Sequence, residues 1–168
     1  ACTRDVLKAY LPLEHYEVVD GYLAAGMGVL ETGVTGPSSH VEDDAPLFGL
    51  AGRYIEALLS ADRNGASRMI LEAVEEGVPV RDVYLHVFQP VQREIGRLWQ
   101  TNQLSVAQEH YCTAATQLIM SQLYPRIFAT ERTGHRLVAT CVAGELHEIG
   151  ARMVADFFEM EGWDTYYL

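Results

Sequence analysis

Two short stretches hold residues whose types and spacing could do chemistry. In Gly144-Glu-Leu-His-Glu-Ile-Gly150, Glu145 and His147 stand two apart. Residues i and i+2 of an extended loop point to one side, so the Glu145 carboxylate can accept from one imidazole nitrogen of His147. That bond fixes the tautomer and leaves the second nitrogen free, as a metal ligand requires. A zinc-protease helix is excluded, because Ala151 stands where its second histidine would be. The other stretch is Trp99-x9-Glu109-His110. An indole can exclude water, a carboxylate can accept hydrogen bonds from hydroxyls, and His110 adds another imidazole.

The elements that must position these residues follow from the hydrophobic pattern. Leu137 to Val142 reads as a buried strand of small and β-branched residues. It delivers Glu145 and His147 to the loop at its carboxyl end, where open α/β sheets bind ligands. Helix 148–161 and strand 164–168 would complete one βαβ unit. Two parallel strands cannot cover both faces of a sheet, so the α/β part is expected to be truncated as it stands. Disordered sequence beyond Leu168 or another polypeptide would complete it, and the absent initiating Met fits a piece of a longer product.

Upstream the period is helical. Leu47, Leu50, Tyr54 and Leu58 give one helix, and Asp62-Arg-Asn-Gly65 a turn. Ala66, Met69, Ile70, Ala73 and Val74 give a second helix, stopped by Gly77-Val-Pro79. A third runs from Val80 to Trp99 with Tyr84, Val87, Val91, Ile95 and Leu98 inward and a kink expected at Pro90. Ser105-Val-Ala-Gln108 has capping-box spacing and opens a fourth, to about Ala129. The short turn 101–104 brings Trp99, Glu109 and His110 to one end of an antiparallel bundle. Residues 5–31 form a helical segment broken at Pro12, with Leu13, Tyr16, Leu23, Met27 and Leu30 near one face. Residues 32–45 read as a linker ending in an acidic run.

Glu145-x-His147-x-x-Gly150 resembles the signature loop of cobalamin (vitamin B12)-binding domains, with Glu in place of the commoner Asp. Trp99-x9-Glu109-His110 is similar to the helical cap of the light-sensing branch related to MerR-type repressors. The resemblance covers residues 46–168. It implies an α/β architecture: a four-helix bundle cap (46–131), then the start of a Rossmann-like, flavodoxin-like cobalamin-binding domain (132–168). Residues 1–45, an N-terminal helical segment and acidic linker, lie outside it. It further implies that His147 is the lower cobalt ligand, that Gly150 lets the loop pass under the corrin, and that Trp99 and Glu109 lie against an upper adenosyl group. The implied function is a photoreceptor with adenosylcobalamin as chromophore, controlling an output domain or partner and possessing no catalytic residues. The alternative is a corrinoid methyl carrier of a methyltransferase system. In the light-sensing relatives a histidine directly after the motif Trp supplies an upper ligand after illumination. Here that position is Gln100, which leaves water or His110 to fill the upper site.

Composition narrows the classes further. Twelve Lys and Arg against 23 Asp and Glu give a net charge of −11. No stripe of basic residues is present to neutralise phosphates, so direct nucleic-acid binding by this chain is not expected. No apolar run reaches the length of a membrane span. Cys2, Cys112 and Cys141 form an odd set, the last two in apolar surroundings, which suits buried thiols in the cytoplasm. A homo-oligomer or a separate regulator is a possible partner. His15, His40, His86 and His135 are read as ordinary surface or helix residues.

Overall fold

The computed structural model describes residues 3–31, 39–41 and 43–168, which form two compact units, 1–38 and 39–168. Cys2, most of the 32–45 linker and the side chain of Leu30 lie outside the described residues. The first unit holds α1 (Thr3–Tyr10) and α2 (Leu13–Glu31), separated at Pro12 as the sequence requires. Arg4 Nε pairs with Asp20 at 2.6 Å across them. Of the face expected on α2, Tyr16 and Leu23 are half-buried, whereas Leu13 and Met27 are exposed.

In the second unit α3 (Phe48–Leu59), α4 (Arg63–Glu75), α5 (Val80–Val83), α6 (Gln89–Gln100) and α7 (Val106–Ile127) pack on one apolar core. Leu50, Tyr54 and Leu58 recur every four residues on α3. Val83, Val87, Val91 and Ile95 do the same along the third segment, with Tyr84 beside them, and Cys112, Ala115, Ile119, Leu123 and Ile127 recur at three and four on α7. Each large side chain so buried stabilises the unit by about 1.5–3 kcal/mol. Leu98 stays half-buried. Burial pushes the Cys112 thiol up to about 11. Cys141, expected to be buried, is only half-buried.

Three local expectations are corrected. Asp62 is the N-cap of α4, its carboxylate accepting from Gly65 N at 2.8 Å, so Arg63 to Gly65 are already helical and the turn lies at Ser60–Ala61. There is no break at Pro90. A π-helical turn, Tyr84–Phe88, joins α5 to α6 one turn earlier, with Gln89 N donating five residues back to Tyr84 O. Pro90 cannot donate to the regular ladder, and the wider turn absorbs that gap. Third, the strand is β1 (Arg136–Ala139), not 137–142, and it is not buried. Beyond α8 (Ile149–Met160), β2 (Asp164–Tyr167) pairs with it in parallel, from Arg136 opposite Asp164 to Ala139 opposite Tyr167. Helix α8 covers one face, so Leu137, Ala139, Thr165 and Tyr167 are half-buried while Val138 and Tyr166 are exposed. One-sided cover produces alternation, not a doubly buried run.

Helix α8 docks on the helices through Met153 and a buried polar pair, with the Tyr84 hydroxyl of the π-turn donating to Asp156 Oδ2 at 2.8 Å. Burial pushes the Asp156 carboxyl above its usual range, although the Tyr84 hydrogen bond and Arg152 pull the other way. The folded state therefore holds this proton more tightly than the unfolded chain. Its contribution is present below the ordinary Asp value and is lost as pH rises through the raised folded value. Asp156→Asn, which keeps the acceptor without the charge, is expected to abolish that fall. Urea unfolding of both proteins from pH 4 to pH 8 checks it, and parallel stability curves would refute the assignment.

Candidate functional site

The structure brings the two chemical stretches together. Turn 101–104 reverses the chain between α6 and α7, and Ser105 and Gln108 form the reciprocal capping box that starts α7. Trp99 at the end of α6 and Glu109 and His110 in the first turns of α7 consequently share one end of the helices. Past β1 the chain turns at Val142–Glu145, with Glu145 N bonded to Val142 O at 3.0 Å and Gly144 at φ 84°, a conformation that costs glycine little. The loop then carries Leu146 and His147 to face those helices.

Between them lies a cavity of about 400 Å³. Trp99, Glu109 and His110 line it from the helices, and Leu146, His147, Glu148 and Ile149 from the loop. Glu145 Oε1 accepts from His147 Nδ1 at 2.5 Å and from His147 N at 2.7 Å. These bonds, the backbone one first, hold the Glu145 carboxyl below its usual range. An ionised carboxylate only accepts, so Nδ1 carries a proton, and in the neutral imidazole Nε2 then keeps its lone pair. The imidazole is 88 % exposed, which leaves that lone pair open to an incoming metal. His110 repeats the arrangement, its Nδ1 lying 2.6 Å from Glu109 Oε2. Gly150 is placed apart, in the first turn of α8, with open space where a Cβ would stand.

Several lining residues escape sequence reasoning. Thr113 Oγ1 lies 3.0 Å from Glu109 Oε1 and 3.1 Å from Gln92 Oε1, and Gln92 Nε2 donates to Thr116 at 2.7 Å. Thr116 meets the fully buried Tyr54 hydroxyl at 2.9 Å, so the Glu109 side of the cavity is tied to the core. On the other side Gln117 Nε2 donates to Glu148 Oε1 at 3.0 Å, and the Tyr167 hydroxyl donates to Glu148 O at 3.2 Å. The signal available was helical spacing: Thr113 lies four residues after Glu109, and Gln92 seven before Trp99.

The donor set suits a metal that brings most of its own ligands. Among the described residues no three His, Cys, Asp or Glu side chains converge to hold an ion. An imidazole nitrogen left free by its carboxylate partner, beside apolar walls of Trp99, Val106, Leu146 and Ile149, fits a flat metal macrocycle with an open axial position. Residues 50–124, most of the helical part, match the family model described as "B12 binding domain". The match supports cobalamin binding.

The fold has relatives of the same kind. The Methanosarcina barkeri monomethylamine corrinoid protein superposes with a TM-score of 0.64 at 18% identity, covering 73% of this chain and 58% of that chain. This chain therefore spans little more than half of that relative, and the likeness is one of fold: a largely helical protein with a small parallel sheet. The methanol:cobalamin methyltransferase complex MtaBC, also from Methanosarcina barkeri, matches across 100% of this chain and 60% of that chain. Its identity is 17% and its TM-score 0.46, too low to support an argument. No curated protein matches the chain. Among the described residues no helix is long and apolar enough to cross a membrane.

Proposed function

We propose that this chain holds cobalamin between its helices and the Glu145–His147 loop and carries a cobalt-bound methyl group for a methyltransferase supplied by another polypeptide. In this reading residues 46–131 are a four-helix cap and residues 132–168 the start of a Rossmann-like domain, working in the cytoplasm. The observation that carries it is the His147 imidazole, engaged at Nδ1 by Glu145 and lining one cavity with helices that match a B12 binding domain. His147 would ligate cobalt from below, Glu145 would hold its tautomer, and Gly150 would ease the loop's approach to the corrin. When bound, the corrinoid supplies a cobalt–carbon bond that can be made and broken. The protein's part is to orient the ring and to screen it from water. The likeness in fold to the monomethylamine corrinoid protein favours the carrier over a sensor.

A second reading, a light sensor using adenosylcobalamin to act on an output domain, a regulator or a second copy, is supported by one observation. Trp99, Glu109 and His110 line the cavity opposite His147, where they would wall off a bulky upper group. Reconstitution with methylcobalamin and with adenosylcobalamin, in darkness and after illumination, separates the two. The carrier is expected to bind both forms and to give up its methyl group to a cognate methyltransferase. Preferential adenosylcobalamin binding with a light-dependent change of assembly would reverse the order. With Gln100 following Trp99, illuminated adenosylcobalamin protein is expected to have water above cobalt, because an amide ligates weakly beside imidazole. A stable bis-histidine spectrum that vanishes in His110→Ala would overturn this.

A further inference from the structure

A second pocket lies earlier along the third helical segment and shares no lining residue with the cavity. It has a volume of about 230 Å³ and is lined by His40, Ala45, Leu85, His86, Gln89, Pro90 and Arg93. His86, Gln89 and Arg93 are spaced by three and four residues, so they share one face where the π-turn runs into α6. His40 is brought to them by a fixed backbone contact, its N–H donating to Glu94 Oε2 at 3.0 Å. Glu94 is itself buried and held by Arg97 at 2.6 Å, so that anchor is firm and its charge is already matched.

The chemistry of this pocket runs against that of the chain. The protein carries a net charge of −11, yet among the described residues no carboxylate lines the pocket, and one guanidinium, two imidazoles and one amide do. Among the described residues no hydrogen bond, ion pair or ring contact engages the side chains of His40, His86 or Arg93. Arg81, Arg97 and Arg132 of this unit are held by Glu161, Glu94 and Glu159, whereas Arg93 has no such partner among the described residues and is set apart from other unpaired arginines by the two imidazoles that share its pocket. Arg93 thus keeps its donor fork unspent beside two ring N–H groups. A guanidinium fork matches two oxygens of a tetrahedral anion, and even a neutral imidazole offers one donor. The volume suits a small group, and Leu85 and Pro90 supply apolar walls.

We propose that the pocket bounded by His40, His86 and Arg93 is a binding site for a tetrahedral oxyanion, either free phosphate or the phosphate of a monoester. The test uses the whole chain without cofactor, at fixed ionic strength and pH 7, and follows the ring C–H signals of His40 and His86 by NMR. Titration with inorganic phosphate is expected to move both signals along one saturable curve, with a dissociation constant in the millimolar range. Arg93→Gln should weaken that binding at least tenfold while leaving the fold and the signals of His110 and His147 unchanged. A parallel titration with adenosine monophosphate distinguishes the sources: tighter binding assigns the site to a monoester, equal binding to free phosphate. The proposal is overturned if sodium chloride or acetate moves the signals equally, if no saturation occurs, or if Arg93→Gln binds phosphate as the parent does.

Discussion

Replacing His147 with alanine is expected to remove the histidine-ligated cobalt absorption signature and to weaken hydroxocobalamin binding by more than about 100-fold, since loss of the ligand should exceed the effect of losing its partner. The reason is local. His147 is the one imidazole of the loop, it lines the cavity, and Glu145 engages its Nδ1 at 2.5 Å, which leaves Nε2 as the nitrogen available to a metal. Glu145→Gln keeps an acceptor of similar shape but loses the charge, and Glu145→Ala loses both. The alanine variant is expected to cost about 10- to 100-fold in affinity, with the glutamine variant between it and the parent. Absorption spectra and equilibrium dialysis at pH 7 measure all three variants. An unchanged cobalt spectrum in His147→Ala would show that the loop does not supply the ligand.

Phe88→Ala is expected to destabilise the 39–168 unit by about 3–5 kcal/mol, the usual cost of emptying a buried aromatic site. Phe88 is fully buried at the end of the π-turn. Its ring sits 5.5 Å from that of Tyr54 and 5.4 Å from that of Tyr84, between the core hydroxyl network and the Asp156 contact to α8. Phe88→Leu should cost markedly less, because most of the volume is kept. Chemical denaturation followed by far-ultraviolet circular dichroism measures both. If the two variants lose equal stability, the effect comes from the π-turn backbone and not from packing.

The helices of the second unit were legible because their apolar residues recur at three and four along α3, the third segment and α7, a period that solvent exclusion enforces on any packed helix. The capping box at Ser105 was legible too, since its two partners are only three residues apart. The pairing of Glu145 with His147 is likewise local, and the sequence alone determined it: two residues of extended chain put both side chains on one side. What the sequence could not decide was everything set by distant partners. Strand β1 stops at Ala139 and stays open on one face because pairing and cover come from β2 and α8, not from its own run of apolar residues. The irregularity near Pro90 became a π-turn because Tyr84 and Phe88 find their places among Tyr54, Phe157 and Asp156. The meeting of Trp99 and His147 across one cavity, 48 positions apart in sequence, was decided by tertiary structure alone. Helix α8 packs on α7 and fixes the loop ahead of it, and Gln117 bonds Glu148 from the facing helix. Contacts of that range depend on how whole elements dock, and no local pattern encodes them.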